Sequence, residues 1–146
     1  MRVLLQRVRS ASVSVGDGEV ARIGAGLLAF VGFTDGDDAT RVEYLAERTA
    51  RLRVFADERG RFQHCITDMG GSVLAVPQFT LYADTGRGRR PDFTRALAPE
   101  RASALFDAFL HALTRAGIER VESGVFGANM AVTLVNDGPV TLLLER

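Results

Sequence analysis

The sequence predicts a single α/β domain, residues 1–146, in which a mixed and largely antiparallel sheet is covered by two main helices. Three observations lead there. A length of 146 residues is that of one folding unit, able to bury about 68–70% of its unfolded surface without disulfide or metal support. A composition of 47% hydrophobic and 25% charged residues is that of a packed globular domain, and it excludes disordered, collagenous and coiled-coil classes. Apolar residues, finally, alternate or run continuously in several short segments and follow helical spacing in two longer ones.

Taken in order, Val3 to Val8 reads as a strand, and Ala11, Val13 and Val15, alternating with Ser10, Ser12 and Ser14, read as a second, half-buried one. Gly16-Asp17-Gly18 turns the chain into Glu19 to Ile23. Leu27 to Phe33 is too continuously apolar to alternate and too short for an ordinary helix, so it is expected to be a central strand covered on both faces. A helix over about residues 38–53 follows, with Asp38 able to cap it and Val42, Leu45, Ala46, Thr49 and Leu52 on one face.

Val54 to Ala56 and Arg61 to Gln63 read as a hairpin across Asp57-Glu58-Arg59-Gly60, and Ser72 to Gln78 as another buried strand. Ala83 to Ala98 is irregular. Pro99 suits the first position of a second helix whose apolar face is Ala102, Leu105, Phe106, Phe109 and Leu113, and Gly117 is placed to end it in a left-handed conformation. Glu119 to Val125 and Met130 to Asn136 read as strands, after which Asp137-Gly138-Pro139 breaks the chain before a last strand, Val140 to Leu144.

No apolar stretch approaches the ~20 residues needed to span a bilayer, and Met1 leads into a segment carrying Arg2, Arg7 and Arg9, so no membrane association or secretory leader is expected. The single cysteine, Cys65, has no partner for an internal bridge, and a reducing cytoplasm is the expected compartment. Eighteen basic residues balance eighteen acidic ones, which argues against a nonspecific DNA binder and confines any RNA contact to a local patch. Every basic residue is arginine, so Schiff-base and lysine-base mechanisms are excluded.

Catalytic parts are scarce. His64-Cys65 lacks the second pair of ligands that a zinc site needs, and His111 falls away from the apolar face of its helix. No Gly-x-Ser-x-Gly elbow, phosphate-binding loop or dinucleotide motif is found, so neither metal nor cofactor is expected. Two segments are unusual for structure alone: Val76-Pro77-Gln78-Phe79-Thr80-Leu81 and Asn136-Asp137-Gly138-Pro139-Val140-Thr141. Both interrupt a strand pattern with a proline, which marks an end, an edge or a bulge where backbone groups are free to bind ligands.

Those segments are similar to the paired motifs Ser-Gln-x-Thr-Leu and Asn-x-Gly-Pro-x-Thr of the D-aminoacyl-tRNA deacylases, also called D-tyrosyl-tRNA deacylases. The resemblance runs through the whole chain, taking in Gln6-Arg7-Val8, Ala11-Ser12-Val13, Gly24 to Leu28, Gly70 to Leu74, Arg90-Pro91 and Leu134 to Thr141. It implies a homodimer with a barrel-like assembly of sheets, hydrolysing the ester between a D-amino acid and the 3′-terminal adenosine of tRNA, sparing L-aminoacyl-tRNA and admitting achiral glycyl-tRNA. It also implies that Gly138-Pro139 has a cis peptide bond and enters the other subunit's active site as a chirality filter, with Arg7 holding the carbonyls of that segment. Residue type alone gives no reason for the cis bond, since only ~5–6% of X-Pro bonds in folded proteins are cis.

A rigid carbonyl wall of glycine and proline can accept the substrate ammonium while leaving no volume for an L side chain, so rejection is steric and no side-chain pocket is required. For the chemistry, two readings stand. Thr80 is the only hydroxyl of the first motif and a candidate nucleophile, but no base is identifiable beside it. The resemblance implies instead that backbone N–H groups around Phe79 and Thr80 form an oxyanion hole, with the ribose 2′-OH helping to position or activate water and Gln78 shaping the site.

Pro77 departs from the family's usual serine, removing a hydroxyl and a backbone donor together. A related animal deacylase of relaxed chirality resembles this chain there, whereas Arg7 and Asn136 to Thr141 match the strict type. Arg87, Arg89, Arg90 and Arg95 crowd one loop, where they can clamp RNA phosphates or pair with Asp84 and Asp92. Phe126 and Met130 flank Gly127-Ala128-Asn129 and fit either packing against the terminal adenine or the core. The competing function classes are a noncatalytic module that binds the tRNA 3′ end, a deacylase of relaxed chirality and a small-molecule esterase.

Overall fold

A computed structural model of the chain describes residues 1–86 and 88–146. Its six-stranded sheet is built on β1, Arg2–Val15, which receives partners on both edges. One edge is shared antiparallel by β2, Gly18–Ile23, and β3, Gly26–Gly32; the other pairs antiparallel along almost its whole length with β8, Met130–Glu145. Beyond β3 the sheet continues parallel through β6, Ser72–Pro77, to β7, Arg120–Ser123. It curls until Arg120 Nη2, on its far edge, donates to the Arg22 carbonyl of β2 at 2.9 Å.

Both helices were expected and both are present, α1 at Ala39–Arg51 and α2 at Pro99–Arg115. The Asp38 carboxylate accepts from the Arg41 N–H at 3.0 Å and so caps α1, while Gly117 takes φ +98° just past α2. β4, Phe55–Ala56, and β5, Phe62–His64, form the expected hairpin one residue further on. Among the described residues, no helix is long and apolar enough to cross a membrane.

Alternation explains why β3 and β6 read as unbroken apolar runs. Leu27, Ala29 and Val31, with Val73 and Ala75, face a core completed by Phe106, Phe109 and Leu113 of α2 and by Leu45 of α1. Leu28, Leu74 and Val76 face a second core inside the curl, with Val8, Val13 and Ile23. Strands buried on both faces have no polar face to show in sequence.

Two expectations are corrected. Val3–Val8 and Ala11–Val15 are one strand, because pairing with β8 carries the ladder across exposed Arg9. Asp137-Gly138-Pro139 does not end a strand either: β8 continues past it, and the register with β1 jumps from Val8↔Asn136 to Gln6↔Thr141. Four residues, 137–140, therefore bulge out opposite Arg7 alone.

Candidate active site

The strand β6 ends at Pro77, and the ladder is carried one residue further by the Gln78 N–H, which donates to the Val31 carbonyl at 2.7 Å. The chain then tightens into a single 3₁₀ turn, Phe79–Tyr82. The first amides of such a turn have no carbonyl behind them to bond. No hydrogen-bond partner of the Phe79 or Thr80 N–H is found among the described residues. Both residues are exposed, and the Thr80 hydroxyl accepts from Gln78 Nε2.

A cleft of about 580 Å³ opens beside this turn. Pro77, Gln78 and Phe79 line it, as do Phe126, Met130 and Phe93. The rings of Phe79 and Phe93 meet edge to face with centroids 5.0 Å apart, yet they remain 56% and 38% exposed, so apolar faces are left open to a ligand. Phe126 also packs against Phe106 of the helix core, and Met130 against the second core. Each thus both supports the fold and lines the cleft. None of the described residues lining the cleft is titratable.

Gly138 and Pro139 form a separate locus. The Gly138–Pro139 peptide is cis, Gly138 has φ +138°, and both residues are exposed at the tip of the bulge. Asn136 closes its base: Val140 N–H donates to Asn136 Oδ1 at 2.8 Å, and Asn136 Nδ2 donates to the Val140 carbonyl at 3.2 Å and to Thr141 Oγ1 at 3.1 Å. Arg7 holds the bulge from β1, but through Asp137 rather than through the Gly138 and Pro139 carbonyls. Its Nε lies 3.0 Å from the Asp137 carbonyl and 3.2 Å from Oδ2, Nη1 donates to the Val54 carbonyl, and the Phe62 ring lies 5.5 Å from the guanidinium carbon. A strand side chain reaches the bulge residue nearest its own ladder position, which is Asp137.

The two loci lie apart in one chain. Arg7 pairs with Leu27 of β3, whereas Pro77 pairs with Val31. That offset corresponds to about 13 Å along the strands, with about 14 Å across the three strand spacings from β8 to β6. Neither Gly138 nor Pro139 lines the chain's own cleft.

The arginine loop springs from the end of the 3₁₀ turn. It is pinched at its base, where Asp84 and Asp92 exchange backbone hydrogen bonds of 2.8 and 2.9 Å. Both carboxylates are engaged locally, Asp84 by the Gly86 N–H and Asp92 by the Thr94 hydroxyl and N–H, which hold the Asp92 carboxyl below its usual range. Among the described residues, the alternative in which the loop arginines pair with Asp84 and Asp92 is not found. Among the described residues, Arg89, Arg90 and Arg95 are exposed and their guanidinium groups form no ion pair; Arg87 lies outside the described residues. Phe93 was missed in the sequence, where the only signal was one aromatic in an otherwise polar loop.

A family model described as D-Tyr-tRNA(Tyr) deacylase matches residues 4–145. A D-aminoacyl-tRNA deacylase of Roseiflexus sp. (strain RS-1) is 55% identical over 145 residues, covering 99% of this chain and 93% of that protein. Among solved structures, the c-Myc DNA Unwinding Element Binding Protein superposes with a TM-score of 0.94 at 36% identity, covering 100% of this chain and 99% of the other. A probable eukaryotic D-amino acid tRNA deacylase superposes at 0.85 with 22% identity over 98% and 97% of the two chains, a likeness of fold alone. The match of the family model from residue 4 to residue 145, together with identity above one half to a relative of nearly equal length, means that the chain belongs to the D-Tyr-tRNA(Tyr) deacylase family.

Proposed function

We infer that this protein hydrolyses the ester of D-aminoacyl-tRNA, releasing the free D-amino acid and tRNA, as the names of its relatives indicate for them. One observation carries the chemical reading: among the described residues the cleft has no titratable lining group, and the Phe79 and Thr80 amides beside it have no partner. Catalysis then falls to fixed backbone dipoles and to the substrate itself. Water adds to the ester carbonyl carbon, the Phe79 and Thr80 N–H groups receive the developing oxyanion, and the bond to the ribose oxygen breaks as that oxygen takes up a proton. The neighbouring ribose hydroxyl positions or activates the water, and Gln78 orients Thr80. The terminal adenosine packs against Phe126 and Met130 in the cleft, and Arg89, Arg90 and Arg95, with Arg87, meet phosphates of the acceptor end.

Chirality is read by a second copy of the chain. Gly138 and Pro139 stand exposed and far from their own cleft, so a carbonyl wall made from them serves the cleft of a partner subunit in a homodimer. Support comes from β8, whose outer edge is unpaired among the described residues and whose Val135, Leu142 and Leu143 are 50%, 37% and 48% exposed. The wall excludes an L side chain by clash and leaves glycyl-tRNA free to enter. The compartment that follows from an aminoacyl-tRNA substrate is the cytoplasm.

The test is turnover of D-tyrosyl-, L-tyrosyl- and glycyl-tRNA beside D-tyrosine ethyl ester. D-tyrosyl- and glycyl-tRNA are expected to be cleaved, L-tyrosyl-tRNA spared and the simple ester ignored. Binding of charged tRNA without turnover would make this a noncatalytic module, and cleavage of the simple ester alone a small-molecule esterase.

A further inference from the structure

A 3₁₀ turn of four residues is too short to fix its own orientation, so the direction of the Phe79 and Thr80 N–H groups must be set from outside it. On the cleft side, Gln78 N–H to Val31 is one tether. On the opposite side is Arg2, the first residue of β1. Its Nη1 donates to the Leu81 carbonyl at 2.6 Å, its guanidinium carbon lies 4.7 Å from the centre of the Tyr82 ring, and its Nε donates to Glu145 Oε1 at 2.5 Å.

Gly32 makes this reach possible. It sits directly opposite Arg2 in the β1–β3 register, where paired side chains share a face. A Cβ on Gly32 would lie 2.8 Å from the Gln78 carbonyl oxygen, 3.1 Å from Leu81 Cβ and 3.4 Å from the Tyr82 ring. The missing side chain is thus the space into which the turn packs, and Arg2 ties down what the glycine admits. Tyr82, buried beneath the guanidinium, anchors the last residue of the turn.

We propose that Arg2 is a positioning residue for the reaction in the cleft: through the Leu81 carbonyl and the Tyr82 ring it holds the 3₁₀ turn in the one orientation that aims the Phe79 and Thr80 amides at the substrate carbonyl. The proposal rests on the reading of those amides as oxyanion donors. Removing the donor lets the turn rock about its Gln78 tether. A preorganised dipole then becomes a mobile one, with loss in the transition state rather than in substrate binding.

The experiment is hydrogen exchange of residues 81–83, whose amides close the turn, and steady-state turnover of D-tyrosyl-tRNA for the intact protein, Arg2→Ala, Arg2→Met and Arg2→Lys. Arg2→Ala is expected to accelerate exchange in that segment at least tenfold while leaving α1 and α2 unchanged, and to lower kcat at least tenfold with KM within twofold. Arg2→Met, which keeps an apolar stem over Tyr82 and removes every donor, is expected to behave alike and guards against a folding defect in the alanine variant. Arg2→Lys should recover part of both effects, since one ammonium reaches one carbonyl but does not reproduce the planar stack. Unchanged exchange in 81–83 overturns the clamp. A rise in KM with kcat intact overturns positioning and makes Arg2 a tRNA contact, and faster exchange with unaltered kcat shows that the turn is tethered to no catalytic purpose. Loss of the parent protein's own turnover would refute the deacylase reading, and the exchange measurement would still decide the clamp.

Discussion

Replacing Gly138 by alanine tests the bulge with a single methyl group. The new Cβ would lie 2.7 Å from Val140 Cγ2, 2.8 Å from the Val140 nitrogen and 3.3 Å from Arg7 Nη2, so it meets its own chain before it meets any substrate. The backbone adds a second penalty, because φ +138° is a region that side chains other than glycine avoid at a cost of about 1–3 kcal/mol. Moving Val140 away sacrifices its 2.8 Å hydrogen bond to Asn136 Oδ1, worth about 1 kcal/mol. A bulge that kept its shape would therefore destabilise the fold by roughly 2–4 kcal/mol, or about 5–15 °C in Tm for a chain of this size. Gly138 and Pro139 are exposed, however, and nothing in the core opposes their displacement.

The expected outcome is local relaxation, with Tm falling by less than about 5 °C while kcat/KM for D-tyrosyl-tRNA drops at least tenfold, a loss of about 1.4 kcal/mol in transition-state stabilisation. Discrimination against L-tyrosyl-tRNA should weaken in the same variant. Calorimetry and deacylation assays on one preparation separate the two effects. Full turnover with full discrimination would refute the role given to the bulge, and global unfolding would refute the claim that the strain is released locally.

Arg7→Ala removes both contacts to Asp137 and the bond to Val54 from a side chain that is 11% exposed; it should lower D-turnover or blur chirality, with Arg7→Lys restoring charge but only part of the geometry. Retention of full D-activity and full L-rejection in Arg7→Ala would remove it from the filter. Thr80→Ala, which deletes only the hydroxyl that Gln78 engages, should retain substantial hydrolysis; a loss of several orders of magnitude with binding intact, or a trapped acyl-enzyme, would establish a covalent threonine. Pro77→Ser should change D-tyrosyl-tRNA turnover by less than about tenfold, because the Gln78 N–H already carries the ladder past that position; a hundredfold gain would show that the serine hydroxyl or N–H takes part, and L-alanyl cleavage abolished by serine would identify a relaxed filter. Burial, with Asp37 nearby, pushes the Tyr82 phenol up to about 12, so ultraviolet titration should show its ionisation well above 10, and stability should fall as pH rises from about 10 towards 12 because the unfolded phenol releases its proton earlier. A Tyr82 phenol that ionises near 10 in the folded protein would contradict that burial.

Sequence alone determined the parts whose information is local. The period of α1 and α2, the Asp38 cap and the Gly117 terminator all follow from residues within a few turns of one another, and the unbroken runs of β3 and β6 announce burial on two faces. The motifs that carry the family resemblance also lie in short segments, so Gln78 to Thr80 and Asn136 to Thr141 were legible as candidates. Tertiary structure decided everything that depends on partners far apart in the chain. That β1 is one strand, and that β8 runs on through Asp137 to Val140 as a bulge, follows from hydrogen bonds between strands separated by more than a hundred residues. Arg7 reaches Asp137, Phe93 closes on Phe79, and Arg2 meets Leu81 across the space left by Gly32, for the same reason. Hydrophobic period encodes which face of an element is buried, whereas register and side-chain reach are set only when strands pair and the sheet curls.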